Sequence, residues 1–330
     1  MRNFRFLCTC LLLSLVAAPL MAADAAPAES GYKVARSFVV GGEGGWDYLT
    51  FDAASRRLFI ARAARVQVVD VDSGKLLGEI SGTAGVHGVA IAGGRAAASS
   101  GKADSVLIFD LKTLAPLGTV KTGVKPDAIF FETLTGLVVA CDGGSNELTM
   151  IDPEKVAAVG SIALPGRPEM GVSDGKGKVF VNLEDKNAIA VVDIKNRKVV
   201  DTWPLAGCDE PTGLAFDAAN RRLFSGCHNS TLVVVDADSG KNVQKLTIGE
   251  GVDAVTFDAA KKLIFTSNGE GNISVVRQDA ADNYTSYANV KTAPRAKTLA
   301  LDPEKHRIYT VTNVADAAGK PAFTLLVLEK

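Results

Sequence analysis

Val66-Gln-Val-Val-Asp70 is a five-residue strand with alternating apolar character that ends on an aspartate, and the chain repeats it. It returns as Val106-Leu-Ile-Phe-Asp110, Leu148-Thr-Met-Ile-Asp152, Ile189-Ala-Val-Val-Asp193 and Leu232-Val-Val-Val-Asp236, then as Ile273-Ser-Val-Val-Arg277 without the aspartate. The last residues of these copies are 40, 42, 41, 43 and 41 positions apart. A seventh copy, Phe323-Thr-Leu-Leu-Val327, follows an insertion around Ala315–Pro321. A fixed period near forty residues marks a repeat architecture in which each unit cannot bury its own apolar face.

Upstream of most copies lies a second shared pair of strands joined by a tight polar turn. Leu49-Thr-Phe-Asp52 leads to Arg57-Leu-Phe-Ile60, Leu214-Ala-Phe-Asp217 to Arg222-Leu-Phe-Ser225, Val255-Thr-Phe-Asp258 to Lys262-Leu-Ile-Phe265, and Leu299-Ala-Leu-Asp302 to Arg307-Ile-Tyr-Thr310. Period-2 alternation bounded by Asp, Asn, Gly and Ser reads as hairpins of half-buried strands. Four strands per unit and seven units predict an all-β, seven-bladed β-propeller of four-stranded antiparallel blades, because radial stacking protects the sheet edges. The last unit lacks an outermost strand, and Tyr32–Val40 is expected to supply it and close the ring.

The Arg-Leu-Phe, Arg-Ile-Tyr-Thr-Val-Thr-Asn313 and Val-Val-Asp-x-x-Ser/Thr-Gly elements resemble the YVTN-repeat β-propellers, including YncE-like periplasmic proteins, over about residues 31–330. The second repeat departs from the pattern, with Ala96-Ala97-Ala98 in place of a bulky strand. The resemblance implies a binding protein, with DNA association known among such relatives and lactone-processing enzymes among related seven-bladed propellers.

The chain has 330 residues with 36 basic and 37 acidic side chains and is 47% hydrophobic, which excludes wholesale disorder. Its near-zero charge removes the usual basis for strong nucleic-acid or anionic-membrane binding. Arg2 and Arg5, the apolar run Leu11–Leu20 and the small residues through Ala23-Asp24-Ala25 have the layout of a secretory signal peptide. The expectation is therefore a cleaved segment 1–25 and a single propeller domain 26–330, located in the periplasm or, second, secreted. The apolar run is short of the roughly 20 residues a spanning helix needs, and a soluble monomer is expected. Cleavage would remove Arg2, Arg5 and Asp24, leaving 34 basic and 36 acidic residues.

The repeated Asp-x-Asp-Ser-Gly-Lys stretches, Asp70–Lys75 and Asp236–Lys241, invite a calcium-loop reading, but the twelfth positions are Ser81 and Thr247 rather than the bidentate Glu such a loop needs. Ser-Gly between alternating strands is hairpin chemistry. No nucleophile elbow, Walker-type phosphate loop or zinc-binding His-Glu-x-x-His occurs. The glycines at Gly41–Gly45 enter a strand rather than a helix, so no helix dipole assists phosphate binding there. No cofactor, metal or catalytic residue is assigned.

Superposing the repeats identifies the candidate site. Four residues before the shared position Phe51, Ile91, Phe131, Phe216, Phe257 and Leu301 stand Asp47, His87, Asp127, Thr212, Asp253 and Lys297. In the fourth repeat the alignment slips, and Arg167 and Glu169 are the nearest equivalents; Trp46, Tyr48, Lys125, Glu210 and Arg295 sit beside the set. Loops entering the innermost strands converge around the central channel, so these residues are expected to form a mixed-charge ring that takes a polar ligand or a partner's loop, with Trp46 as aromatic anchor.

Two other classes stay open. A hydrolase or lyase acting on a lactone-like or sugar-derived substrate would use His87 as general acid or base, and His87 is also the best nucleus for a metal, with Asp47, Asp127 or Asp253. Weak, salt-sensitive nucleic-acid binding would use Lys125, Arg167, Arg295 and Lys297. His306, in the Pro303–Arg307 turn, is expected on the opposite face and exposed. Cys208 and Cys227 fall close enough across one hairpin for a disulfide, with a Cys208/Cys227/His228 soft-metal site as the alternative. Cys141 reads as a buried small hydrophobe.

Overall fold

The computed structural model describes residue 1 and residues 26–316 and 318–330. The proposed leader, including the apolar run and the cleavage site, lies outside the described residues. Seven antiparallel sheets follow one another along the chain. Blade 1 shows the plan, with strands Leu49–Asp52, Arg57–Arg62, Arg65–Asp70 and Leu76–Ser81 running from the axis outward. The inner strands of blades 2 to 7 are Val89–Ala92, Pro126–Glu132, Pro168–Ser173, Pro211–Asp217, Val252–Asp258 and Leu299–Asp302. The sequence therefore specifies the expected seven-bladed β-propeller.

Ring closure is as expected from the spare N-terminal strand. Lys33–Val39 pairs antiparallel with Pro321–Glu329, from Lys33 opposite Glu329 to Val39 opposite Thr324. Blade 7 thus combines the two ends of the propeller, and the Pro321–Glu329 edge is covered by Lys33–Val39. Blade 6 has a split outer edge, with Asn283–Ser286 and Val290–Lys291 both pairing with Asn272–Ala280.

The recurring aspartates serve as turn caps. Asp70 Oδ1 accepts from the Ser73 amide at 2.7 Å and its hydroxyl at 2.6 Å, and Asp236 Oδ1 does the same for Ser239. Asp110, Asp152 and Asp193 receive the equivalent backbone bonds in blades 2, 3 and 4. Of the carboxylates that suggested calcium, Asp70 and Asp236 are thus engaged by their own turns, and Asp72 and Asp238 by Arg56 and Arg221. Blade 6, with Arg277 in that place, runs its third strand on to Ala280 instead.

The core lies between blades, in clusters built from the alternating residues of the second and third strands. The alanine run of blade 2 belongs to this packing, since Ala96, Ala97 and Ala98 are fully buried. Ala96 and Ala98 share a cluster with Phe59 of blade 1 and Phe109, whose ring centroids are 6.1 Å apart, while Ala97 faces blade 3. Bulk missing from one strand is supplied by its neighbours.

Candidate functional site

Strand register settles the alignment that slips in the fourth repeat. Phe51 stands opposite Leu58, Phe131 opposite Val138 and Ser173 opposite Val179. Ser173 is therefore the counterpart of Phe51, and Glu169, four residues earlier, is the fourth ring member. The ring reads Asp47, His87, Asp127, Glu169, Thr212, Asp253 and Lys297 in blade order.

Three successive positions have three separate roles. The residue before each ring member is a wedge between blades: Val86, Pro126, Pro168, Pro211, Val252 and Ala296 are all buried. Trp46 fills that place in blade 1, half-buried, with its ring centroid 5.4 Å from that of Phe323 and the Arg295 guanidinium 5.1 Å above it. It is a wall of the site more than a free anchor. Two residues before the ring lie Lys125, Arg167, Glu210 and Arg295, all exposed. Lys125, Glu210 and Arg295 have left-handed φ values of 53°, 49° and 66°, a backbone conformation uncommon outside glycine.

In blades 3 to 6 the inner strand changes register at the ring member, between Pro126 and Ile129, Pro168 and Gly171, Pro211 and Leu214, and Val252 and Ala254. Such bulges re-aim a side chain. The same bulge places Pro211, not Thr212, opposite Cys227. Thr212 does not serve the mouth of the ring, because it is buried and its hydroxyl donates to Val252 O at 3.1 Å.

The remaining members touch. His87 Nδ1 lies 2.7 Å from Asp47 Oδ2 and 3.5 Å from Asp127 Oδ1. Lys297 Nζ reaches Asp253 Oδ2 at 3.1 Å and Asp47 Oδ1 at 3.8 Å. Below them the buried Tyr48 side chain crosses from blade 1 and donates its hydroxyl to Glu169 Oε1 at 2.9 Å. It closes the floor of the ring above an apolar channel cavity of about 380 Å³ lined by Leu49, Val89, Ile129, Leu214, Val255 and Ala300, among others.

Burial governs the protonation of this set. Desolvation raises Asp127 to about 6, with His87 opposing and the charges of Asp47 and Asp253 reinforcing it. Glu169 is held well above the usual carboxylate range by desolvation and by Asp127, against the Tyr48 hydrogen bond. Asp253 is raised by desolvation, with Lys297 opposing. The Asp47 hydrogen bond raises His87 against the cost of its burial, and the neighbouring carboxylates add to the rise. Burial lowers the lysine, yet Asp253 and Asp47 together leave Lys297 above its ordinary value.

The loops are rigidly held. Asp47 N donates to Ala61 O, and Tyr48 N donates to His87 O, joining blades 1 and 2 at the ring. Arg62, almost fully buried, donates to the carbonyls of Gly42, Gly44 and Gly45 and stacks 3.6 Å from the Phe323 ring centroid. It organises the glycine-rich entry to Trp46 and Asp47, a role the sequence reading missed. Burial lowers the Arg62 guanidinium to about 10.

Cys208 and Cys227 are joined, with Cα atoms 5.4 Å apart, so the soft-metal alternative has no free thiols. The bridge pins the loop carrying Glu210, whose carboxylate meets His228 Nδ1 at 2.9 Å. Cys141 is free and fully buried. His306 differs from expectation: it is half-buried because its Nδ1 bonds Asp258 of the preceding blade at 2.8 Å. The basic candidates do not form one patch. Lys125, Arg167 and Arg295 stand on blades 3, 4 and 7, Arg167 is paired with Glu184 at 2.6 Å, and Lys297 belongs to the acidic inner ring.

No family model and no curated protein sequence matches the chain. Solved structures match its fold. A chain of Kuenenia stuttgartiensis hydrazine synthase aligns with TM-score 0.72 and 16% identity over 84% of this chain and 95% of that one. A chain of a mitotic checkpoint complex gives 0.75 and 15% over 98% and 99%. U3-55K gives 0.75 and 12% over 90% and 99%. At such identities the likeness is one of fold. The chain shares with them the β-propeller fold. Among the described residues no helix is long and apolar enough to cross a membrane.

Proposed function

We propose that this protein is a non-enzymatic binding module of the periplasm whose ring face engages a partner protein's loop or a small polar ligand. The observation that carries the reading is convergence: polar side chains from six blades meet above a floor closed by Tyr48. Four carboxylates face one lysine and one histidine, so the ring favours a ligand that brings positive charge or hydrogen-bond donors. The outer tier of Lys125, Arg167, Glu210 and Arg295 stays exposed around it, as the polar rim of an interface does.

Photo-crosslinking in cells tests this. A crosslinker at Lys125 or Arg295 should give a discrete adduct, and one at Lys112, on the opposite face, should not. The adduct should vanish in Asp127→Ala and Asp253→Ala proteins that fold normally. Equal adducts from both faces, or adducts indifferent to the ring substitutions, would reject the ring face. The enzymatic alternative has its own support in the His87–Asp47 pair, whose geometry suits a general acid or base. A lactone screen comparing wild type with His87→Ala separates the two readings. Weak DNA binding, which the YncE-like resemblance implies, would bring phosphates to the rim cations beside an acidic ring, and its loss at moderate salt is expected.

A further inference from the structure

We propose that Asp47, His87 and Asp127, supplied by three consecutive blades, bind one divalent transition-metal cation at the channel mouth. The sequence reading assigned no metal; the folded arrangement supplies the reason to do so. One imidazole nitrogen and two carboxylate oxygens lie within 4.8 Å of one another. The separations from His87 Nδ1, 2.7 Å to Asp47 Oδ2 and 3.5 Å to Asp127 Oδ1, bracket the roughly 3.0–3.5 Å between ligands that share an ion at about 2.0–2.2 Å. Asp47 and His87 would open by a few tenths of an ångström to share an ion.

The surroundings prepare these side chains for that task. Gly101 clears the space beside His87, since a Cβ there would come within 3.0 Å of imidazole Cδ2 and Nε2. The hydrogen bond to Asp47 holds the imidazole with Nδ1 toward the carboxylates. Asp47 uses its other oxygen, Oδ1, toward Lys297, which orients it from the second layer as outer partners of metal ligands do. Lys297 is itself committed to Asp253, so it leaves Oδ2 of Asp47 facing His87.

Mixed imidazole and carboxylate donors favour Zn²⁺, Co²⁺ or Mn²⁺ over Ca²⁺ and Mg²⁺, which prefer oxygen alone. Three protein ligands leave open positions, and His87 lines both adjoining grooves, of about 450 and 520 Å³. The open positions would receive a donor atom from the bound ligand, a carboxylate or carbonyl oxygen. That last step rests on the ring-face reading above; the metal site does not.

The test uses tag-free, metal-stripped full-length protein titrated with Co²⁺, followed by visible absorption and by equilibrium dialysis with Zn²⁺. One equivalent should bind, with His87→Gln weakening it at least about 100-fold and Asp127→Asn at least about 10-fold. A His228→Gln control, at the exposed His–Glu pair, should leave affinity unchanged. Far-UV circular dichroism confirms that each variant folds, and the wild-type stoichiometry stands independently of any variant. Absence of stoichiometric binding overturns the proposal. Binding that survives both His87→Gln and Asp127→Asn, or Ca²⁺ competing on equal terms, also overturns it. If metal fails to bind while crosslinks from Lys125 persist, the ring-face reading stands and the metal falls; the reverse pattern refutes the ring face alone.

Discussion

Asp142, the last residue of the second strand of blade 3, is fully buried, and desolvation raises its carboxyl to about 7. Its Oδ2 accepts from the Thr149 hydroxyl and, at 3.3 Å, the Gly123 amide, while Oδ1 has no partner. The unfolded chain keeps the ordinary value near 3.8, so the native state holds the proton more tightly. Stability from this group is fully present below about pH 4 and is lost as pH rises through about 7. Roughly three pH units of difference correspond to about 4 kcal/mol.

Blade 6 indicates the remedy. Asn268 occupies the same place, and its amide donates to Asn272 Oδ1 at 2.7 Å and Ser274 Oγ at 2.9 Å. The residues corresponding to those partners in blade 3 are Glu147 and Thr149. Asp142→Asn should therefore keep an acceptor for Thr149 and Gly123 and turn an amide toward Glu147. Urea denaturation at pH 5 and pH 8 should show a variant more stable than wild type at pH 8 by a few kcal/mol, and within about 1 kcal/mol of it at pH 5. Identical pH slopes for the two proteins, or a variant weaker at both values, would refute the assignment of a buried neutral carboxyl.

Removing Lys33–Val39 exposes the Pro321–Glu329 edge; six cross-strand pairs at about 0.5–1 kcal/mol each predict a loss of roughly 5 kcal/mol and aggregation on heating, read by calorimetry and light scattering. Arg62→Ala leaves three loop carbonyls unpaired and Phe323 uncovered; a cost of about 3–4 kcal/mol should accompany faster amide exchange confined to residues 41–47. Reducing Cys208–Cys227, which closes a loop of 19 residues, should cost about 3 kcal/mol in the chain-entropy picture. Dithiothreitol should shift the wild-type denaturation midpoint and leave that of a Cys208→Ser/Cys227→Ser protein unmoved.

The architecture was legible because its signals are local and repeated. An aspartate that caps a turn two or three residues on needs no tertiary partner, and alternation of burial follows from the strand's period of two. Even the closing strand could be anticipated, since seven units with one strand missing and one spare strand leave a single pairing. The ring was legible as positions, through the repeat alignment, but not as roles. Trp46 looks like an anchor until the wedge residues Val86 and Pro126 reveal its place. Glu169 is hidden by the shifted fourth repeat until Ser173 is seen opposite Val179. His306 looks like a solvated turn residue because Asp258, its partner, is 48 positions away.

Sequence alone thus determined the number of blades, their strands, their turns and the circle on which polar side chains would stand, since each follows from a short-range rule applied seven times. Tertiary structure decided which members of the circle touch. Bulges aim Asp127, Glu169 and Asp253, Arg62 sets the loop that delivers Asp47, and Tyr48 crosses the axis to close the floor. The contacts within the ring join residues from 40 positions apart, Asp47 to His87, up to 250, Asp47 to Lys297. Their distances depend on how seven blades pack around an axis, a quantity that no single repeat contains.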